Sequence, residues 1–353
     1  MLIPVKLAAL GVLRGSGIFG LVTNSRWRQQ RLLILCYHGT SLEDEHLWRP
    51  RLYIQPQKLE QRFASLRKGQ FSVLPLGEAL QRVRAGTLPP RSVALTFDDG
   101  TYDFFRQAYP LLKHYGFPAT VYQTTYYTLV ERPVFNLICS YMLWMRRGEM
   151  IANGEALGLQ KPLDLRTQAS RAGVVLDLIA ISERKDRSGP EKDEIAAQLA
   201  RVLKIDYDKL KAKRILHLMN EPELLEISRN GVDVQLHTHR HRTPEDEALF
   251  RKEIQENRST IQKATGSEPV HFCYPSGVHR PAFLPWLEKE NVESATTCDA
   301  GLAARQSDRL LLPRFIDHQD RSQLEFESWI SGVGDWLAWR RMASQHKAPG
   351  SRK

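Results

Sequence analysis

Two apolar runs in this chain stop abruptly at ionisable residues. Ser92-Val93-Ala94-Leu95 leads into Thr96-Phe97-Asp98-Asp99-Gly100, and Val232-Asp233-Val234-Gln235-Leu236 leads into His237-Thr238-His239-Arg240-His241. Runs this short and rich in β-branched residues read as buried strands. The mouths of such strands are where α/β folds place their active sites. Together the two clusters supply two carboxylates and at least two imidazoles. That is enough to hold one divalent metal and keep a carboxylate in reserve as a base.

The rest of the chain alternates strand and helix around these runs. Leu32 to Cys36 is an apolar run ending in Tyr37-His38-Gly39. Pro56 to Leu66 has helical spacing, Phe71 to Leu74 is extended, and Asp103 to Tyr115 is helical with Gly116 at its stop. Ala119 to Gln123 is the next strand. From 133 to 219 charged, helix-prone segments replace strands, which predicts a helical insertion. The rhythm resumes with the capping sequence Asn220-Glu221-Pro222-Glu223 and a helix ending near Gly231. A further helix is expected from Thr243-Pro244 to Gly266, then strands at His271 to Tyr274 and Arg309 to Ile316. This β-α-β order implies a parallel sheet.

Charge separates the ends from the body. Of the formal net charge of +10, residues 1–31 contribute five basic side chains and no acid, and residues 331–353 five basic and one acidic. Residues 32–330 are close to neutral, which argues against a groove that reads nucleic acid. Basic ends fit flexible arms or contact with an anionic membrane surface. The apolar stretch in residues 1–22 is interrupted by Arg14 and is too short to span a bilayer. It is expected to be an interfacial or packing helix, with Arg26 to Arg31 as a basic linker. The organisation expected is thus a basic helix and linker (1–31), a catalytic domain (32–330) and a basic tail (331–353). A cytoplasmic, membrane-associated location follows, with secretion as the alternative. The four cysteines contain no CxxC pair, and Cys36 and Cys273 sit in apolar runs as small hydrophobes. Gly15-Ser16-Gly17-Ile18-Phe19-Gly20 fits the dinucleotide pattern, but no β-branched strand precedes it and no acid follows at the required distance.

Asp-Asp-Gly alone would read as a turn. Asp98 and Asp99 are adjacent, so in extended backbone they face opposite ways, and one can meet a metal while the other faces substrate. His237 and His241, four apart, have a spacing that can bring two imidazoles to one ion; His239 between them is expected to point elsewhere.

These two clusters resemble the first two signature motifs of the polysaccharide deacetylase family, the NodB-homology carbohydrate esterases. The likeness covers residues 32–130 and 220–318 and is nearest to the poly-N-acetylglucosamine deacetylase branch. It implies a distorted (β/α) barrel that binds a divalent metal, zinc by preference, through Asp99, His237 and His241, with Asp98 as general base. Phe272-Cys273-Tyr274-Pro275-Ser276-Gly277 resembles the third motif, which implies the Tyr274 amide as oxyanion donor and Tyr274 and Pro275 along the substrate groove. The late Leu-x-His of many members has no clean match. His38, at the mouth of the first strand, is expected as the acid in preference to His318, and Arg314 could orient Asp98. The expected activity is metal-dependent removal of N-acetyl groups from a polysaccharide or lipid-linked glycan. The alternatives are a hydrolase of the same fold acting on a non-sugar amide, and a silent glycan-binding module.

Overall fold

The computed structural model describes residues 2–159, 161–183 and 188–337. Most of the anticipated basic tail, from 338 onward, lies outside the described residues. Seven short strands form the core: β1 (Leu33–Tyr37), β2 (Ser92–Phe97), β3 (Ala119–Gln123), β4 (Val232–Leu236), β5 (His271–Cys273), β6 (Ser294–Thr296) and β7 (Phe315–Ile316). They lie in the order β6-β5-β4-β3-β2-β1-β7, and every pairing is parallel. Ser72–Val73 pairs with the start of β2. The expected long strand over 309–316 is only β7, because Pro313 interrupts it. The segment before Pro313 nevertheless bonds to β6, through Ala295 N–H to the Arg309 carbonyl (2.8 Å) and Leu312 N–H to the Ala295 carbonyl (2.9 Å). That bridge curls the sheet into the distorted (β/α) barrel.

Strand alternation sorts the side chains into two environments. Leu33, Leu35, Tyr37, Val93, Leu95, Phe97, Val232, Val234, Leu236, Phe272 and Tyr274 pack outward, in one core with the surrounding helices. Between them in sequence, Ile34, Ala94, Tyr122 and Cys273 belong to a separate cluster inside the barrel. The same period carries Cys36, His38, Thr96, Asp98, Gln235 and His237 to the inner side. Parallel register then aligns these inner residues across strands: Cys36 pairs with Thr96, and Tyr122 with Gln235.

The insertion is mainly helical, as expected, with helices Phe135–Met145, Gln168–Glu183, Gly189–Leu203 and Tyr207–Ala212. It also contains a small antiparallel pair, Met150–Ile151 with Leu163–Asp164. Met142, Leu143, Leu178, Leu199 and Leu203 give it its own core, against which Tyr53 from the barrel loops packs. The helix after β4 starts at Glu247 rather than Thr243, because the Asp246 side chain caps it by accepting from Leu249 N–H. Freed from that helix, residues 237–246 form a loop.

The N-terminal segment is built into the body. Residues Leu2–Gly15, Ile18–Thr23 and Arg26–Gln29 are helical. Leu10 and Phe19 pack with Val333, while Lys6 and Arg14 pair with Glu325 and Glu327 at 2.7 and 2.9 Å. The expected linker is a helical turn whose Arg28 is fully buried. Its guanidinium donates to the carbonyls of Ile330 (3.2 Å), Arg31 (2.8 Å) and Ser92 (3.2 Å). Burial lowers its pKa to about 10, partly offset by Asp335. Three of the five basic residues here are therefore engaged internally, which removes the argument for a free basic arm. The glycines of the dinucleotide-like pattern end one helix and start the next, with no strand before them. Among the described residues, no helix is long and apolar enough to cross a membrane.

Replacing Arg28 by Ala strands three buried carbonyls and should cost roughly 3 kcal/mol of stability. Urea denaturation measures this, and Arg28→Lys should not restore the loss, since one ammonium lacks the planar fork that reaches all three.

Candidate active site

Asp98 leaves β2 on the inner side and is almost completely buried. Arg314, fully buried just before β7, grips it with both ends of its fork: Nη1 donates to Oδ1 at 2.7 Å and Nη2 to Oδ2 at 2.8 Å. Arg314 is held in turn by the Thr297 carbonyl (2.9 Å). Burial alone would raise the Asp98 carboxyl, but the charge and hydrogen bonds of Arg314 outweigh it and hold the group well below the carboxylate range. His38 approaches the same carboxylate, with Nε2 at 3.7 Å from Oδ2. The thiols of Cys36 and Cys273 each lie 3.5 Å from that oxygen.

Asp99 turns the other way because the backbone turns beneath it. Both Asp99 and Gly100 have φ +72°, a conformation that aspartate tolerates and glycine adopts freely. At Gly100 a Cβ would meet Gln123 Oε1 at 1.8 Å, so a larger residue would have to displace that side chain as well as adopt a left-handed backbone. The loop is then tied to the exit of the insertion: Met219 N–H donates to the Gly100 carbonyl (3.0 Å) and Tyr102 N–H to the His217 carbonyl (2.9 Å).

His237 and His241 meet Asp99 from the second cluster. Their Nε2 atoms lie 3.3 and 3.2 Å from Asp99 Oδ1, and their rings are 4.9 Å apart. Left-handed backbone at Thr238 and His241 (φ +63° and +53°) folds the loop so that residues four apart face one point. The ring of His239 goes elsewhere, bonding Thr125 Oγ1 at 2.8 Å.

The donor set tests whether a cation belongs here. Nδ1 of His237 lies 2.8 Å from the Cys273 carbonyl. A carbonyl only accepts, so Nδ1 carries the proton and Nε2 presents a lone pair toward Asp99. Asp99 Oδ1 is buried and has no hydrogen-bond donor. A lone pair of His237, the Nε2 of His241 and a carboxylate oxygen of Asp99 therefore face one another. The 3.2–3.3 Å separations match the edge of a tetrahedron with metal–ligand bonds of about 2.0 Å. Asp99, His237 and His241 fit a divalent metal.

Helix Glu247–Thr265 fixes this loop by two buried polar residues that sequence reasoning missed. Asn257 Oδ1 accepts from His237 N–H at 2.9 Å, while its amide donates to the Gln123 carbonyl and Thr125 Oγ1. Glu253 accepts from Arg240 N–H (2.7 Å) and from the Arg240 and Arg242 guanidinium groups. The signal was available: Glu253 and Asn257 sit four apart on the buried face that Phe250, Ile254 and Ile261 otherwise make apolar.

Two expectations need correction. The Tyr274 N–H donates to the Thr296 carbonyl at 3.2 Å, so it is not free to receive an oxyanion. The tyrosine side chain packs outward with Phe272, and Pro275 is buried as well, so neither lines an open groove. The exposed residues of this loop are Ser276 and Val278. Ser276 is left-handed (φ +55°), and its amide has no hydrogen-bond partner among the described residues. Arg314, expected as the residue that orients Asp98, is wholly buried and committed to that carboxylate. His318 receives a bond from Asp320 N–H (3.3 Å), has its pKa lowered to about 4 by burial, and makes no contact with either aspartate. His38 is the imidazole that faces Asp98.

Asn257→Ala and Glu253→Gln should weaken zinc binding by roughly 10- to 100-fold, since each loosens the backbone that aims a ligand. Competition against a chromophoric chelator measures this, and Glu226→Gln on a neighbouring helix should leave the affinity unchanged.

Comparison with known proteins agrees with this geometry. The family model described as polysaccharide deacetylase matches residues 85–158 and 208–295, flanking the central part of the insertion. Over 100 residues the chain is 27% identical to the poly-beta-1,6-N-acetyl-D-glucosamine N-deacetylase of Escherichia coli K12, covering 28% of this chain and 15% of that protein. The chain thus matches only a small part of that relative's length. Among solved structures, the Streptococcus pyogenes deacetylase PplD in complex with acetate superposes with a TM-score of 0.56 at 17% identity, covering 84% of this chain and 96% of that one. IcaB from Ammonifex degensii gives 0.53 at 16% identity, with 85% and 97% covered. These two likenesses show the barrel fold, and over the two matched segments the sequence is similar to the polysaccharide deacetylase family.

Proposed function

We propose that the protein is a metal-dependent amide hydrolase that removes acetyl groups from N-acetylated amino sugars of a glycan, with zinc as the metal. The observation that carries this reading is the convergence of Asp99, His237 and His241 on one point, beside a second carboxylate that is kept ionised and kept off that point. The E. coli relative, a deacetylase of poly-β-1,6-N-acetyl-D-glucosamine by name, supports an N-acetylglucosamine polymer as the substrate class.

Held by those three ligands, a divalent ion would polarise the acetamide carbonyl and lower the pKa of water. Asp98 receives the proton of the attacking water. Its pairing with Arg314 makes it a weak base, so it suits a water that has already been acidified, and the pair fixes its orientation. The Ser276 amide supports the developing oxyanion, being the first N–H after Tyr274 in the loop that follows β5. His38, at the mouth of β1 and partly open to solvent, delivers a proton to the departing amine. Proton acceptance and delivery thus fall to two groups 3.7 Å apart.

The purified chain should release acetate from N-acetylglucosamine oligomers. Asp98→Asn should lower kcat by about 10²- to 10⁴-fold while leaving zinc content intact. Full activity in Asp98→Asn, or no acetate release by the zinc-loaded chain from any N-acetylated oligomer, would overturn the reading. His38→Gln should lower kcat and remove one limb of the pH–rate profile. His318→Gln should do neither, and the reverse outcome would move the acid role to His318.

A further inference from the structure

Asp98 belongs to a second group of ligand atoms that the deacetylation chemistry does not require. Cys36 Sγ lies 3.5 Å from Asp98 Oδ2, His38 Nε2 lies 3.7 Å from the same oxygen, and all three atoms fall within 4.8 Å of one another. Cys36 and His38 are two apart at the end of β1, so both side chains point into the barrel. Pairing of Cys36 with Thr96 and of Tyr37 with Phe97 then brings them level with Asp98. The two distances to Asp98 suit ligands around one tetrahedral ion, with a sulfur bond near 2.3 Å and nitrogen and oxygen bonds near 2.0–2.2 Å.

We propose that Cys36, His38 and Asp98 form a second cation site, selective for thiophilic divalent ions, whose occupancy silences the enzyme. The silencing rests on the deacetylase reading, because the ligands include its base and acid; the binding does not. Selectivity follows from the donors. The Asp99–His237–His241 centre has no sulfur, whereas this one offers a thiolate, which favours soft ions such as cadmium. Binding forms a sulfur–metal bond, breaks the S–H bond and releases that proton to solvent. Thiolate and carboxylate then supply two negative charges against the two of the ion and the one of Arg314, which leaves the group at a net +1. Arg314 keeps its hold on Asp98, since each carboxylate oxygen accepts at more than one position.

Cys273 is the competing thiol, also 3.5 Å from Asp98 Oδ2 and grouped with Asp98 and His237. Its sulfur already meets Arg314 Nη2 at 3.1 Å. The third member of that group, His237, points Nε2 at Asp99. Cys36 has no hydrogen bond from a cationic side chain, and its neighbour His38, 17% exposed, opens the route from the cleft.

The test titrates the full chain, carrying one equivalent of zinc, with cadmium. The thiolate-to-cadmium ultraviolet charge-transfer band, proton release and acetate release are read together. The expected result is a band and a proton release equivalent to one thiolate per chain, saturating in step with loss of acetate release. Cys36→Ser should abolish the band and raise the cadmium needed for half-inhibition by on the order of tenfold or more. Cys273→Ser should change neither. No band with the wild-type chain, or a band that survives Cys36→Ser or disappears in Cys273→Ser, overturns the proposal. If Cys36→Ser fails to fold by thermal melting, Cys36→Ala takes its place; if neither folds, trapping the cadmium-bound chain and finding Cys36 unprotected from thiol alkylation overturns it. A Cys36-dependent band in a chain that releases no acetate would keep the cation site and sink the deacetylase reading instead.

Discussion

The bidentate contact between Arg314 and Asp98 organises the middle of the barrel. An arginine and an aspartate, both stripped of water, lose far more hydration than a lone contact returns, and the geometry must be good to offset it. Here both forks are matched, Thr297 takes the remaining Nε–H, and the Tyr122 ring lies 5.7 Å from the guanidinium carbon. The pair joins β2 to the segment entering β7, across β1, near the point where the sheet closes. A structural bond and a chemical setting are thus the same interaction. It fixes the orientation of Asp98 and keeps it anionic, leaving the neighbouring Asp99 to a separate set of partners.

Strand periodicity explains how two adjacent aspartates reach such different surroundings. Outward positions of β1, β2, β4 and β5 are apolar and meet helices; inward positions become polar toward the strand mouths. Asp98 continues the inner row of Ala94 and Thr96. The left-handed turn at Asp99 and Gly100 then breaks the alternation and delivers the second carboxylate toward the loop of β4. Gly100 suits this turn because its backbone is left-handed, φ +72°, and the Gln123 side chain occupies the space beside it.

Much of this was legible in the sequence, and the omissions have physical causes. The strand mouths, the insertion, and the grouping of Asp99 with His237 and His241 follow from local pattern and from motif resemblance. Arg314, expected to orient Asp98, meets it across 216 residues, a separation at which spacing alone carries no information about contact. The oxyanion role assigned to Tyr274 overlooked a parallel neighbour: its amide extends the β5 ladder to Thr296, and since Pro275 has no N–H the next donor along is Ser276. Glu253 and Asn257 interrupt an apolar helix face, a visible irregularity whose meaning depends on knowing which loop packs there. The basic N-terminus looked like a solvated arm because charge in a sequence does not reveal its counterions. Glu325 and Glu327, which neutralise Lys6 and Arg14, lie more than three hundred residues further on.

The hydrogen bonds that tie residues 100 and 102 to residues 217 and 219 bear on the insertion. They splice the turn carrying Asp99 onto the strand-like exit from the helical block, with Thr101 and Leu218 forming an antiparallel bridge between them. A shift of that block relative to the barrel would therefore drag one carboxylate and leave its imidazole partners, anchored to a different helix, where they are. The insertion is mechanically in series with one of the three ligands, and its stiffness sets how constant that ligand's distance from the other two can be.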